Sequence, residues 1–228
     1  MKATKRTAPI TTLFVDIGGV LLTDGWAHPA RRRAATAFDL PSAEMEARHQ
    51  VVFETYEQGK LTLDDYLDLV VFHERRPFSR ETFRRFMFEQ SKPFPAMIGL
   101  IAQLKIEHGL KIVVVSNEAR ELNAHRIRSF GLGAFVDVFV SSCFVQMRKP
   151  DPDMFRLALD LAQASPGQVA YVENTAMFVE IAAALGIRGV VHVNARSTRA
   201  ALASLGLGDE APGVAEGLGA SSRKKRTS

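Results

Sequence analysis

A mainly apolar run from Ile10 to Val15 ends in a single carboxylate, Asp16, and Ile17, Gly18, Gly19, Val20 and Leu21 follow. This pattern reads as a buried strand that carries Asp16 to its C-terminal tip, where glycines let the backbone approach a ligand closely. In open α/β sheets, ligands bind outside the carboxyl ends of the strands. After a turn at Thr23-Asp24-Gly25-Trp26, the apolar positions recur at helical spacing. Pro29 to Phe38 reads as a short helix, and Ser42 as the N-cap of one that runs to Gln58 and stops at Gly59. Thr62 and Asp65 form a capping-box pattern ahead of Leu63, Tyr66, Leu67, Val70 and Val71. Ser79 caps a fourth helix with Phe83, Phe86 and Met87 on its apolar face, and Pro93 and Pro95 close the block. The spacing predicts a small four-helix cap over residues 25–95, inserted between two strands.

From Ala96 the pattern alternates. Helices are predicted at 97–108, 118–130, 152–163, 177–185 and 195–205, and strands at 111–115, 136–140, 169–172 and 189–193. With the Asp16 strand, this gives a Rossmann-like α/β core over residues 10–24 and 96–205. Its five-stranded, mostly parallel sheet carries helices on both faces. Residues 1–9 read as a basic tail. Residues 206–228 are Gly/Ala/Ser-rich, end in a basic cluster and lack periodicity, so disorder is expected there.

Charge and composition narrow the functional classes. The formal charge is +4, but Lys2, Lys5, Arg6, Arg223, Lys224, Lys225 and Arg226 exceed it by themselves, so the rest is net acidic. That places the basic character in the tails, where a solvated role is favoured over nucleic-acid binding. One cysteine, Cys143, excludes a disulfide framework, and the six histidines show no pair at metal-ligand spacing. No apolar run approaches a membrane span, and the N-terminus has no signal-like core, so a cytoplasmic protein is expected.

Four polar clusters fall just past predicted strand ends: Asp16 with Gly18-Gly19, Ser116-Asn117, Arg148-Lys149-Pro150-Asp151, and Glu173-Asn174. A carboxylate, a hydroxyl, a lysine and a second acidic group at one crevice suit chemistry on a phosphate. The aspartate can attack phosphorus to form an aspartyl-phosphate, and Mg²⁺ between carboxylates can neutralise developing charge. The Arg31-Arg32-Arg33 run reads as a solvated helix face. Trp26, Phe53, Tyr56, Phe83 and Phe86 read as core of the cap.

The motifs FVDIGGVLL, VVVSNEAR, MRKPDPDMF and AYVENTAMF, in this order, resemble those of haloacid dehalogenase (HAD)-like hydrolases that carry a helical cap after the first strand. The Asp-x-Gly-Gly-Val form resembles a branch that includes sugar-phosphate phosphatases. The resemblance implies that Asp16 is the nucleophile, that Ser116 and Asn117 grip the phosphoryl group, and that Lys149 neutralises both. It also implies Mg²⁺ held by Asp16, the Gly18 main-chain carbonyl, Glu173 and Asn174, with a small phosphorylated metabolite as substrate. Two positions depart from the family pattern. Gly18 stands where most of its phosphatases carry a general-acid aspartate, a loss typically worth 10²–10⁴-fold in rate. Glu173-Asn174 stands where an Asp-Asp pair is usual, which implies weakened metal binding. The same residues leave open a metal-independent 2-haloacid dehalogenase and a non-catalytic ligand-binding member.

Overall fold

The fold was analysed in a computed structural model that describes residues 8–208. In chain order the elements are β1 (Thr12–Val15), α1 (His28–Ala37), α2 (Ser42–Glu57), α3 (Leu63–Val70), α4 (Arg80–Glu89), α5 (Pro95–His108), β2 (Lys111–Ser116), α6 (Arg120–Ser129), β3 (Val138–Ser141), α7 (Ser142–Val145), α8 (Pro152–Ala162), β4 (Val169–Glu173), α9 (Ala176–Ala184), β5 (Arg188–Val191) and α10 (Ala195–Ser204). The five strands form one sheet in the order β3-β2-β1-β4-β5, and every pairing is parallel. β1 is central, with β2 on one side and β4 on the other, so the strand order reverses beside it. This is the place where an open α/β sheet forms its ligand crevice, and Asp16 stands there.

Parity along the strands sorts the core into two layers. Leu13, Val15, Ile112, Val114, Ala170 and Val172 pack against Leu100, Ile101 and Leu104 of α5 and Leu202 of α10. Phe14, Val113, Val115 and Tyr171 point the other way, onto Met154, Phe155 and Ala158 of α8 and Ala182 of α9. Burial on both faces is why these strands read as continuous apolar runs rather than alternating ones. The four helices between β1 and α5 have an apolar cluster of their own, centred on Trp26, Tyr66, Leu67, Phe83 and Met87. Ala119 and Leu122, at the start of α6, pack against it.

Most local signals act as predicted. Thr62 and Asp65 form the reciprocal capping box, the Ser79 hydroxyl accepts from the Thr82 N–H, and Asp151 caps α8 ahead of Pro152. Others differ. Ser42 is the first helical residue of α2, and Pro41 takes the N-cap without a side-chain bond. α6 begins at Arg120 rather than Glu118, because the Glu118 N–H bonds the Ser142 hydroxyl at 2.9 Å and its carboxylate pairs with Arg126. β3 lies two residues later than expected, after a 3₁₀ turn at Leu132–Ala134, and α7 is too short to leave a periodic trace. Leu207, beyond the predicted end of the core, is buried in it. The basic tails at 1–7 and 209–228 lie outside the described residues.

Candidate active site

Asp16 follows β1 directly, its N–H bonded to the Val172 carbonyl of β4 at 3.0 Å. The chain then turns tightly, with the Gly19 N–H bonding the Leu22 carbonyl at 2.7 Å. Gly19 has φ +72°, and a Cβ there would stand 2.1 Å from the Asn174 amide nitrogen and 2.9 Å from Asp24 Oδ1. Only glycine suits both the conformation and the space. At Gly18, a Cβ would meet Asp24 Oδ1 at 3.5 Å. Asp24 therefore brings a carboxylate to the neighbourhood left open by the missing side chain.

Lys149 links the clusters. Its Nζ lies 3.0 Å from Asp16 Oδ1, an ion-pair contact without hydrogen-bond alignment, and 2.6 Å from Glu173 Oε2. The Tyr171 hydroxyl donates to the same Glu173 oxygen at 2.6 Å, and the Thr175 N–H donates to the other at 2.8 Å. Asn117 holds the lysine backbone from both sides: its Oδ1 accepts from the Lys149 N–H at 2.8 Å and its Nδ2 donates to the Lys149 carbonyl at 2.9 Å. The Lys149-Pro150 peptide within this loop is cis. Burial pushes the Asp16 carboxyl up to about 6, against the pull of Lys149, and Glu173 adds to the rise. For Lys149, burial favours the neutral amine but is outweighed by Asp16 and Glu173, and the net shift is upward.

All the predicted site residues therefore meet at the tips of β1, β2 and β4, but two of them are engaged differently from expectation. The Asn117 side chain, expected on the phosphoryl group, is held by the Lys149 backbone. Glu173, expected on the metal, is fully buried with both oxygens occupied by Lys149, Tyr171 and Thr175. Ser116, also buried, ends β2 and does not cap α6.

The donor set fits Mg²⁺ without Glu173. Two carboxylates and one ammonium leave the Asp16–Lys149–Glu173 cluster one negative charge in excess, so a phosphoryl dianion needs a further cation. Asp16 Oδ1 is buried without a hydrogen-bond donor, and the Asn174 amide stands beside Gly19 of the turn. Mg²⁺ is commonly held by one or two carboxylates together with substrate phosphate and water. Among the described residues no group of three or more His, Cys, Asp or Glu side chains is placed to hold a metal, so amide and carbonyl oxygens would complete the shell.

A second buried ion pair joins the core to the inserted helices. Arg126 of α6 pairs with Glu118 and donates to the Ser91 hydroxyl and the Thr23 carbonyl, each at 3.0 Å. Burial pushes Glu118 up to about 7 even so. Arg148 reaches Glu54 and Glu57 of α2 at 2.9 Å. Between these clasps lies a cavity of about 150 Å³, lined by Trp26, Arg31, His49 and Tyr56 from the insertion and by Asp24, Asn117 and Glu118 from the core. Trp26 and Tyr56 thus line the crevice as well as filling the helical core, and Arg31 is buried rather than solvated. A larger cavity, about 840 Å³ between α4 and α6, touches none of the site residues. Sequence reasoning missed Tyr171, Glu118, Arg126 and Asp24 as site residues. Tyr171 could have been found by strand parity from Glu173; the others are set by tertiary packing.

The structure thus has a doubly wound parallel sheet with a carboxylate–lysine cluster at its switch point. The model of the haloacid dehalogenase-like hydrolases matches residues 10–188, and the chain belongs to that family. It is 26% identical over 185 residues to the phosphorylated carbohydrates phosphatase of Thermotoga maritima, covering 79% of this chain and 85% of that protein. It is also 29% identical over 100 residues to the mouse (Mus musculus) acyl-CoA dehydrogenase family member 10, covering 44% of this chain but only 9% of that protein. With (S)-2-haloacid dehalogenase 1 of Pseudomonas sp. it shares 25% identity over 103 residues, covering 45% of each chain. Among solved structures, the HAD family enzyme BT-2542 of Bacteroides thetaiotaomicron, in complex with magnesium and inorganic phosphate, superposes with a TM-score of 0.66 at 18% identity. The match covers 81% of this chain and 94% of that one. Among the described residues no helix is long and apolar enough to cross a membrane.

Proposed function

We propose that this hydrolase is a cytoplasmic, Mg²⁺-dependent phosphatase of a small phosphorylated metabolite, acting through an aspartyl-phosphate at Asp16. The observation that carries this reading is Lys149, buried between Asp16 and Glu173 at the sheet's switch point. An Asp16 carboxylate oxygen attacks phosphorus, the bond from phosphorus to the ester oxygen breaks and the leaving oxygen takes a proton from water. A second water then attacks phosphorus, gives up a proton to solvent and breaks the bond from phosphorus to Asp16, which frees phosphate and restores the carboxylate. Lys149 stays protonated and offsets charge on Asp16 and the phosphoryl oxygens. Glu173, Tyr171 and Asn117 fix the position of the ammonium, and the Ser116 hydroxyl, 3.4 Å from Glu118 Oε1, would turn to donate to a phosphoryl oxygen. Asp16, the Gly18 carbonyl and Asn174 would hold Mg²⁺, which when bound neutralises charge on the phosphoryl oxygens. Gly18 has no proton to give, so esters with good leaving groups are expected to turn over fastest. The helical insertion would serve as a cap that shields the crevice from water.

The test is turnover of an aryl phosphate by wild type and Asp16→Asn, with Mg²⁺ and with EDTA. Metal-dependent turnover lost in the variant is the expected result; equal turnover in both proteins refutes the nucleophile. A second reading, a metal-independent dehalogenase, is favoured by one observation: Glu173 is committed to Lys149 and gives no carboxylate to a metal. EDTA-insensitive chloride release from a 2-haloacid would establish it.

A further inference from the structure

Breakdown of an aspartyl-phosphate needs an acceptor for the proton that the attacking water loses, and most groups around Asp16 are already committed. Asp16 itself carries the phosphoryl group at that stage. Lys149 stays protonated beside Glu173, and both Glu173 oxygens are occupied by Lys149, Tyr171 and Thr175. In the crevice cavity, Glu118 is paired with Arg126 and Glu57 with Arg148. His49, kept neutral by burial, has no free lone pair. The Trp26 indole N–H donates to the Tyr66 hydroxyl at 2.8 Å, so that hydroxyl gives its own proton to His49 Nδ1, 2.8 Å away. The ring N–H then stands on Nε2.

Asp24 is what remains. Among the described lining residues of the cavity it is the one carboxylate without a hydrogen-bond or ion-pair partner. Its Oδ1 lies 3.5 Å from the place of a Cβ at Gly18 and 2.9 Å from that of one at Gly19. It thus fills space that side chains in the glycine turn would claim, beside the backbone two residues past the nucleophile. Asp24 is also exposed, and it lines a second cavity, of about 430 Å³, together with Ala27, Arg33 and Lys92. The same carboxylate therefore borders the crevice on one side and solvent on the other.

We propose that Asp24 accepts the proton of the water that hydrolyses the aspartyl-phosphate and passes it to solvent. This step rests on the phosphatase reading. The water oxygen bonds to phosphorus, and the bond from phosphorus to Asp16 breaks and returns its electron pair to the carboxylate. The water's proton goes to an Asp24 oxygen, directly or across one further water, and Asp24 then releases it to solvent. Formation of the aspartyl-phosphate draws nothing from Asp24, because the leaving oxygen takes its proton from water. The base would thus sit at the entry to the insertion and not in the glycine turn.

Rapid quench with a radiolabelled aryl phosphate and Mg²⁺ separates the two steps. Release of the aryl alcohol reports formation of the aspartyl-phosphate, and release of phosphate reports its breakdown. In Asp24→Asn a burst of about one aryl alcohol per protein molecule should keep the wild-type rate. Phosphate release should fall about 100-fold, with label accumulating on Asp16. Mg²⁺ affinity, read by calorimetry, should match wild type; a fall would make Asp24 a metal ligand and overturn the proposal. A Cβ at Gly18 meets Asp24 no closer than 3.5 Å, an ordinary contact, so Gly18→Asp can return a carboxylate to the same place. The double variant Asp24→Asn/Gly18→Asp should recover most of the phosphate release. Phosphate release at the wild-type rate in Asp24→Asn, both steps slowed alike, or no recovery in the double variant overturns the proposal while the phosphatase reading stands. Wild-type turnover without labelled Asp16 overturns both.

Discussion

At the strand tips, Asp16 and Glu173 share a single lysine, so acid is in excess where a phosphoryl group would sit. Across the crevice, Arg31, Arg126 and Arg148 each meet a carboxylate. One half is thus incomplete without a cation and a ligand, while in the other each of these arginines is paired. Buried charge that lacks full compensation is costly and is typical of places where chemistry happens. Buried pairs with full compensation hold surfaces together. Under the proposed function, the strand tips would break the bond and the insertion would close over them.

Five substitutions or titrations sharpen or break that contrast. Asp16→Asn should lower kcat on an aryl phosphate by at least about 10⁴-fold. It removes a charge that burial disfavours, so its melting temperature should not fall; a cooperative loss of fold would show that Asp16 is structural. Lys149→Met should cost about 10³-fold in kcat and, unlike Asp16→Asn, about 3 kcal/mol of stability, because two buried carboxylates then face each other. Urea denaturation beside turnover distinguishes the two effects. Arg126→Met should also lose about 3 kcal/mol by leaving Glu118 buried without its partner, while turnover per folded molecule falls much less than in Lys149→Met.

Glu173→Gln separates an anchor from a ligand. As an anchor for Lys149, its loss should lower kcat about tenfold, in line with groups that orient others, and leave Mg²⁺ affinity, measured by calorimetry, unchanged. A large drop in Mg²⁺ affinity would restore Glu173 as a ligand. The smallest effect expected is none. Because burial holds His49 near 4, it stays neutral between about pH 5.5 and 8, and its ring resonances in NMR should not shift across that range. Resonances that titrate near about 6.5 would mean that the ring protonates there.

Much of the strand-tip half was legible before any coordinates. Asp16, Ser116 and Glu173 end or follow strands whose apolar runs are unmistakable, and parallel topology brings strand ends to one edge, while Lys149 reaches it from the loop after α7. What they do to one another was not legible. That Asn117 holds a backbone, and that both Glu173 oxygens are occupied, depends on the loop before α8 folding over β2 and β4. The insertion half was legible as helices, through the Thr62–Asp65 box and the Ser79 cap, but its site role was not. Arg31 sits in a run of three arginines, and nothing local distinguishes the buried one from its exposed neighbours. Asp24 read as a turn residue, and only the folded chain places it against Gly18.

The most direct test is to trap the intermediate. Wild-type protein is mixed in excess with a radiolabelled phosphate ester and Mg²⁺, quenched in acid within one turnover, digested and mapped. The account predicts a hydroxylamine-labile phosphoryl group on the peptide that contains Asp16, and none in Asp16→Asn. Turnover without a covalent label, or a label on any other residue, would contradict it.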